Sequence, residues 1–355
     1  MQRFLSPAPL SLSFALAFAA LGSTSDAAPL DTNHVPAKAV WLMHLDGDAV
    51  RKSTVIEQMH ARVMKKHPQL EGLMAMGAAA TGMDVRKDLH GVTVYGLDTE
   101  KQNAVMIVHA KADRKKLEAM VEKAPGHQSM EYRGFTLHAW THKGWRQSEG
   151  KPVVGTFYDD STMIFARTKQ QVEMALDVLE GKRDSMDEKS PLAGRVLPGS
   201  ILVGRASAVN PETKCPVLKE AKGFRVAMGE NDGKSFYRAK LEMKSAEAAT
   251  QAKAVTEGLA ALASLSFGQE ADVMKLVTGL ETVTRGGTCL ISWDADADVV
   301  WKVTEKVADK FEAKMAQRKQ SWGQKDSGKK DAATKKQEKK PSSNDDRRPF
   351  RDDEF

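Results

Sequence analysis

Histidine is the residue type whose placement first suggests chemistry. All nine histidines lie between His34 and His142, and none follows. Three of them, His44 beside Leu42, His109, and His138 beside Trp140, fall in runs that read as strands. Three neutral imidazoles on one face are a ligand set for a metal or a haem. No spacing motif makes these three converge, and no acidic residue is identifiable to orient their rings. Cofactor identity therefore stays unknown. Cys215 and Cys289 are two cysteines with no CxxC spacing. They are read either as a bridge, which would stabilise a loop of that length by about 4 kcal/mol, or as two free thiols. GxGxxG, HExxH and GxSxG are missing. Gly233-Lys-Ser235 ends like a phosphate loop, but Met228 stands where its first glycine belongs. Asp294-Ala-Asp-Ala-Asp298 lacks the glycine and terminal glutamate of a calcium loop, and reads as the acidic start of a helix. Binding or scaffolding is expected rather than catalysis.

One stretch organises the elements around these residues. Asp84–Lys123 reads as strand, turn, strand and helix, with Gly91–Tyr95 and Ala104–Ala110 extended and Asp113 capping a helix that Pro125-Gly126 stops. A fainter copy runs from Lys222 to Ala261, aligning Gly96 with Gly229, Lys101 with Lys234, Val108 with Leu241 and Lys111 with Lys244. Its turn, Glu230-Asn-Asp-Gly233, carries the Asp-Gly pair that tolerates positive φ in a tight hairpin. The copies differ in one respect. Tyr237, Ala239, Leu241 and Met243 alternate with Arg238, Lys240 and Glu242, a strand with one buried and one wet face. The matching charged positions in the first copy hold Val105, Ile107 and His109. That face is expected to be a contact surface, buried against the second half or a partner, or an apolar-ligand site.

The remaining segments repeat the hairpin-plus-helix plan. Thr54–Glu57 reads as a capping box, and Gln128–Tyr132 with Phe135–Trp140 as a hairpin. Val153–Tyr158 and Met163–Ala166 form a third pair, followed by a helix capped by Thr168 and Gln171. Ile201–Ala206 and Glu281–Trp293 supply strands of the second half. The predicted fold is α+β: two duplicated halves, each an antiparallel sheet with helices packed on one face. The halves span residues 28–188 and 189–317.

Both ends of the chain are biased. Residues 1–27 carry Arg3, the apolar run Leu10–Leu21 and Ser25-Asp-Ala27, the pattern of a secretory signal peptide. That apolar run is too short to span a bilayer comfortably, and no later segment approaches the length of a membrane helix. Residues 318–355 hold twelve Lys/Arg against eight Asp/Glu, which is four of the net six positive charges, and almost no aliphatic residues. Such a tail cannot offset chain entropy by burial and is expected to be disordered. Its basic part can touch anionic polymers, whereas nucleic acid is an unsuited partner for an exported chain without aromatic interleaving here. Asp84-Val-Arg-Lys-Asp-Leu-His-Gly-Val-Thr-Val-Tyr-Gly96 with its strand and helix resembles uncharacterised exported bacterial proteins built from tandem α+β repeats. The resemblance implies the architecture and a periplasmic or envelope address, with an envelope component as partner. It brings no catalytic residues.

Overall fold

Trp41–Asp46 (β1) alternates between the two faces of a sheet and is paired on both sides, by Leu89–Gly96 (β2) and by Ser200–Ala206 (β8). The structure, a computed structural model, describes residues 29–100, 103–141, 152–267 and 270–315. The leader-like segment and the charged tail lie outside them.

From β1 the sheet extends in both directions, antiparallel throughout. One way run β2, Ala104–Ala110 (β3), Thr162–Ala166 (β7), Pro152–Phe157 (β6), Phe135–Thr141 (β5) and Gln128–Tyr132 (β4). The other way, beyond β8, run Ala221–Asn231 (β9), Lys234–Met243 (β10), Thr288–Asp296 (β12) and Leu280–Arg285 (β11). The fold is α+β, built on one twelve-stranded sheet with helices packed against it. The hairpins are those the sequence predicts. Arg133-Gly134 and Asp232-Gly233 each place two successive residues at positive φ, the backbone of a tight hairpin turn.

Helices Gly47–Lys52 (α1), Thr54–Lys66 (α2), Gln69–Thr81 (α3) and Val85–Asp88 (α4) link β1 to β2. Arg114–Glu122 (α5) follows β3, and Lys169–Leu179 (α6) follows β7. Helix α6 opens with the predicted Thr168–Gln171 capping box. Pro216–Lys219 (α7) precedes β9, while Ala246–Phe267 (α8) and Ala271–Thr278 (α9) join β10 to β11. A last helix, α10, spans 297–315. Residues up to Val303 form one unit, and a second begins at Thr304. No helix among the described residues is long and apolar enough to cross a membrane.

In the first half, helices cover both sheet faces. Val172, Ala175 and Leu176 of α6 pack with Val105, Ile107 and Ile164. Leu117 of α5 packs with Val108, Ala110 and Met163 on the opposite side. A strand apolar on both faces, as β3 is, requires two covers. In the second half Ala248, Ala249 and Ala252 of α8 close on Met243 and Cys289. Small residues let the helix approach the sheet there.

The predicted capping box at Thr54–Glu57 is corrected. Ser53 is the N-cap, its Oγ accepting from Ile56 N at 3.3 Å. A remote carboxylate takes the role expected of Glu57. Glu230, near the end of β9, accepts from Ser53 Oγ at 2.8 Å and from Thr54 N at 2.9 Å. It meets free first-turn amides, where a negative charge also faces the positive end of the helix dipole.

Candidate functional site

The predicted histidine set does not come together. His44 and His109 share a sheet face, since His44 pairs through Thr93 to Ile107, two residues from His109. His138 lies on the other face, in register with Gly155, Phe165 and Met106. Each ring has its own surroundings. His44 Nδ1 lies 2.9 Å from Thr93 Oγ1, the ring of His109 stacks on His34, and His138 Nδ1 lies 3.1 Å from His127 Nε2. Burial pulls the pKa of His109 and of His138 below the ordinary imidazole value, and the neighbouring imidazole adds to this in each case. Among the described residues no three His, Cys, Asp or Glu side chains are grouped to hold a metal. Cys215 is exposed and Cys289 buried, and both are free thiols rather than a bridge.

Val105 and Ile107 are 1 % and 0 % exposed. Their cover is α6 with Met186, joined by Leu192 and Val203 from beyond the predicted boundary. That face is core. A ligand has no room there.

The corresponding face of the second half is open. On β11, Glu281, Val283 and Arg285 are exposed while Leu280, Thr282 and Thr284 are half-buried, a period of two with one wet side. Cross-strand pairing aligns Val283 with Leu290 and Lys240 with Leu290, and then Lys240 with Arg225 and Arg225 with Arg205. These positions line a groove of about 460 Å³ whose further wall, Gly194–Leu197, comes from the segment before β8. Six cations line it, Arg195, Arg205, Arg225, Arg238, Lys240 and Arg285, with no carboxylate among its lining residues. Its floor is apolar, from Val203, Val283 and Leu290.

The six cations are not equivalent. Arg205 is 3 % exposed and donates to Leu192 O and Gly194 O, both at 2.9 Å. Burial, with repulsion from Arg225, lowers its pKa from the usual guanidinium value. Arg225 donates to Pro191 O at 2.8 Å. These two arginines hold the groove wall. Arg238 makes a two-pronged pair with Asp294 at 2.8 and 2.7 Å, and Lys240 pairs with Glu242 at 2.8 Å. The guanidinium groups of Arg195 and Arg285 have no hydrogen-bond or ion-pair partner among the described residues. Two uncommitted guanidiniums beside an apolar floor can hold an anionic group by paired N–H donors. The alternation around Lys240 makes the wet face legible in the sequence. The loop that turns it into a groove carries no such signal.

No protein-family model matches the chain, and no curated protein matches it. Among solved structures it is similar to TP0453, a Treponema protein, in several crystal forms. Form III gives a TM-score of 0.42 at 9 % identity, covering 79 % of this chain and 99 % of that one. Form I gives 0.41 at 9 % identity, covering 79 % and 98 %.

A second polar cluster belongs to the fold rather than to a groove. Asp48, 5 % exposed, pairs with Arg51 and lies 3.3 Å from His90 Nδ1, while Arg51 donates to Leu89 O at 2.8 Å. It ties α1 to the start of β2.

Proposed function

We propose that the protein is an exported, non-catalytic binding protein that holds an anionic, partly apolar ligand on the open face of β8–β12. The observation that carries this reading is the groove lined by six cations and no carboxylate over an apolar floor. Its side chains suit recognition: guanidinium donors for charge, Val283 and Leu290 for hydrocarbon, and no histidine or cysteine among the lining residues. Export rests on the leader-like pattern of residues 1–27. An envelope compartment supplies ligands of this description, such as anionic lipids and acidic polymers.

Calorimetric titration with dodecyl phosphate, inorganic phosphate and dodecanol tests it. Dodecyl phosphate should bind tightest, and added salt should weaken it. Arg195→Glu and Arg285→Glu should each reduce affinity by about tenfold, since a charge-assisted hydrogen bond contributes about 1.5–3 kcal/mol before solvent screening. Equal affinity of wild type and the double variant would sink the reading. Mass spectrometry of protein from fractionated cells tests export: a mature chain beginning at Ala28 is the expected result.

A further inference from the structure

We propose that a second cavity, between α5 and the first-half sheet, is a binding site for a small neutral aromatic molecule of one ring carrying one hydrogen-bonding group. The cavity has a volume of about 160 Å³ and lies on the sheet face opposite the Val105–Ile107 core. Leu117 and Val121 of α5 form one wall. Trp140 and Phe165 form another, edge to face with ring centroids 6.4 Å apart. Gly155 makes that arrangement fit, because a Cβ there would stand 2.8 Å from Phe165 Cδ1 and 3.2 Å from Trp140 Cη2.

Size and polarity narrow the ligand. An apolar cavity of about 150 Å³ accommodates a benzene ring. The polar groups at its edge are nearly all engaged. Thr156 Oγ1 donates to Thr136 O at 2.8 Å, and Glu118 accepts from Arg114 Nε at 2.7 Å. His138 lines the cavity, is 8 % exposed, and has its Nδ1 engaged with His127. Its Nε2 is buried with no hydrogen-bond partner among the described residues. A buried imidazole nitrogen left unmatched is costly, and a ligand hydroxyl or carbonyl placed against it removes that cost. No Lys or Arg lines the cavity, so an anion would find no counter-charge there. The site therefore differs in ligand chemistry from the basic groove of the second half.

The test uses full-length protein carrying 13C-methyl methionine, titrated with p-cresol and with toluene. Saturable shifts of the Met120 and Met163 methyl signals are expected, with toluene about three- to tenfold weaker, the factor one net hydrogen bond supplies. His138→Phe should remove the preference while toluene still binds. Leu117→Trp should fill the cavity and abolish both titrations, and Val121→Phe serves if that variant does not fold. No saturable shift up to the solubility limit, or shifts undiminished in a folded cavity-filled variant, overturns the site. Equal affinity for the two ligands in the wild type overturns the role of His138.

Discussion

Glu230 shows how much one side chain can depend on distant sequence. It is 177 residues from Ser53, so nothing near Thr54 announces it. A pattern reader places a capping box on Thr54 and Glu57 because only local carboxylates are visible. Burial pushes the Glu230 pKa up, but hydrogen bonds from Thr54, Ser53 and Val55 outweigh this and hold it below the ordinary glutamate value. A carboxylate depressed in the folded state stabilises above its unfolded pKa of about 4.3, and that stability is lost as pH falls through the folded value. Glu230→Gln should therefore lower stability at pH 7 by about 0.5–2 kcal/mol, the range for losing a helix cap. Its melting temperature should also fall less than wild type's between pH 6 and pH 3. Parallel melting curves across that range would show that Glu230 is not the titrating group. Ile107 and Lys240 make a second contrast. Ile107→Lys puts an ammonium where exposure is 0 %, and should cost at least the roughly 2–5 kcal/mol of emptying a buried isoleucine site. Lys240→Ile, on a half-exposed side chain whose pair with Glu242 is solvated, should change stability by about 1 kcal/mol or less while weakening dodecyl phosphate binding. Urea unfolding of both variants decides between core and open face.

At the scale of elements, hairpins were legible and covers were not. Asp232-Gly233 and Arg133-Gly134 announce their turns because few residues other than glycine accept positive φ, a local constraint. Which helix lies over which face is decided by packing between remote segments. The apolar run of β3 signals burial without saying that α6 takes one side and α5 the other. Two glycines of one hairpin separate local from non-local constraint. Gly233 has open space around it and φ of +73°, so Gly233→Ala meets only the backbone cost, about 1–2 kcal/mol. Gly229 has no such angle, but a Cβ there would stand 2.0 Å from Gly199 O and 2.8 Å from Ser200 Cα. Gly229→Ala must push β9 away from β8, and should destabilise more than Gly233→Ala in urea unfolding. The reverse order would mean that β8 yields easily at its register shift between Ser200 and Leu202.

At the scale of the whole molecule, the strand order reads alike in both directions from β1 and β8. Outward from that pair lie β2, β3, β7 and β6 on one side and β9, β10, β12 and β11 on the other, with β5 and β4 as an extension of the first. In the first half the hairpin β2–β3 is followed by α5, β4 and β5 before the pair β6–β7, and in the second the hairpin β9–β10 is followed by α8 and α9 before the pair β11–β12; in both, the later member of the pair joins the hairpin. The two halves share this plan, and they also share contacts that a simple tether would not need. Trp41–Leu45 pairs with Leu202–Ala206 across the centre, and Val203 of β8 completes the first-half core. Leu192, whose carbonyl Arg205 holds, is itself buried in the first-half core, and Glu230 caps α2. Asp187, Glu188 and Lys189, in the connection between halves, are by contrast exposed. A protease site placed after Glu188 should therefore cut the chain without parting it. The nicked protein should elute at the size of the intact one and keep its affinity for dodecyl phosphate, because the groove wall from Gly194 to Leu197 stays with the second piece. Its melting temperature should become concentration-dependent, since folding and association are then one equilibrium. Pieces that separate on sizing without denaturant would show that the central strand pairing is too weak to hold the halves, and that the connection itself joins them.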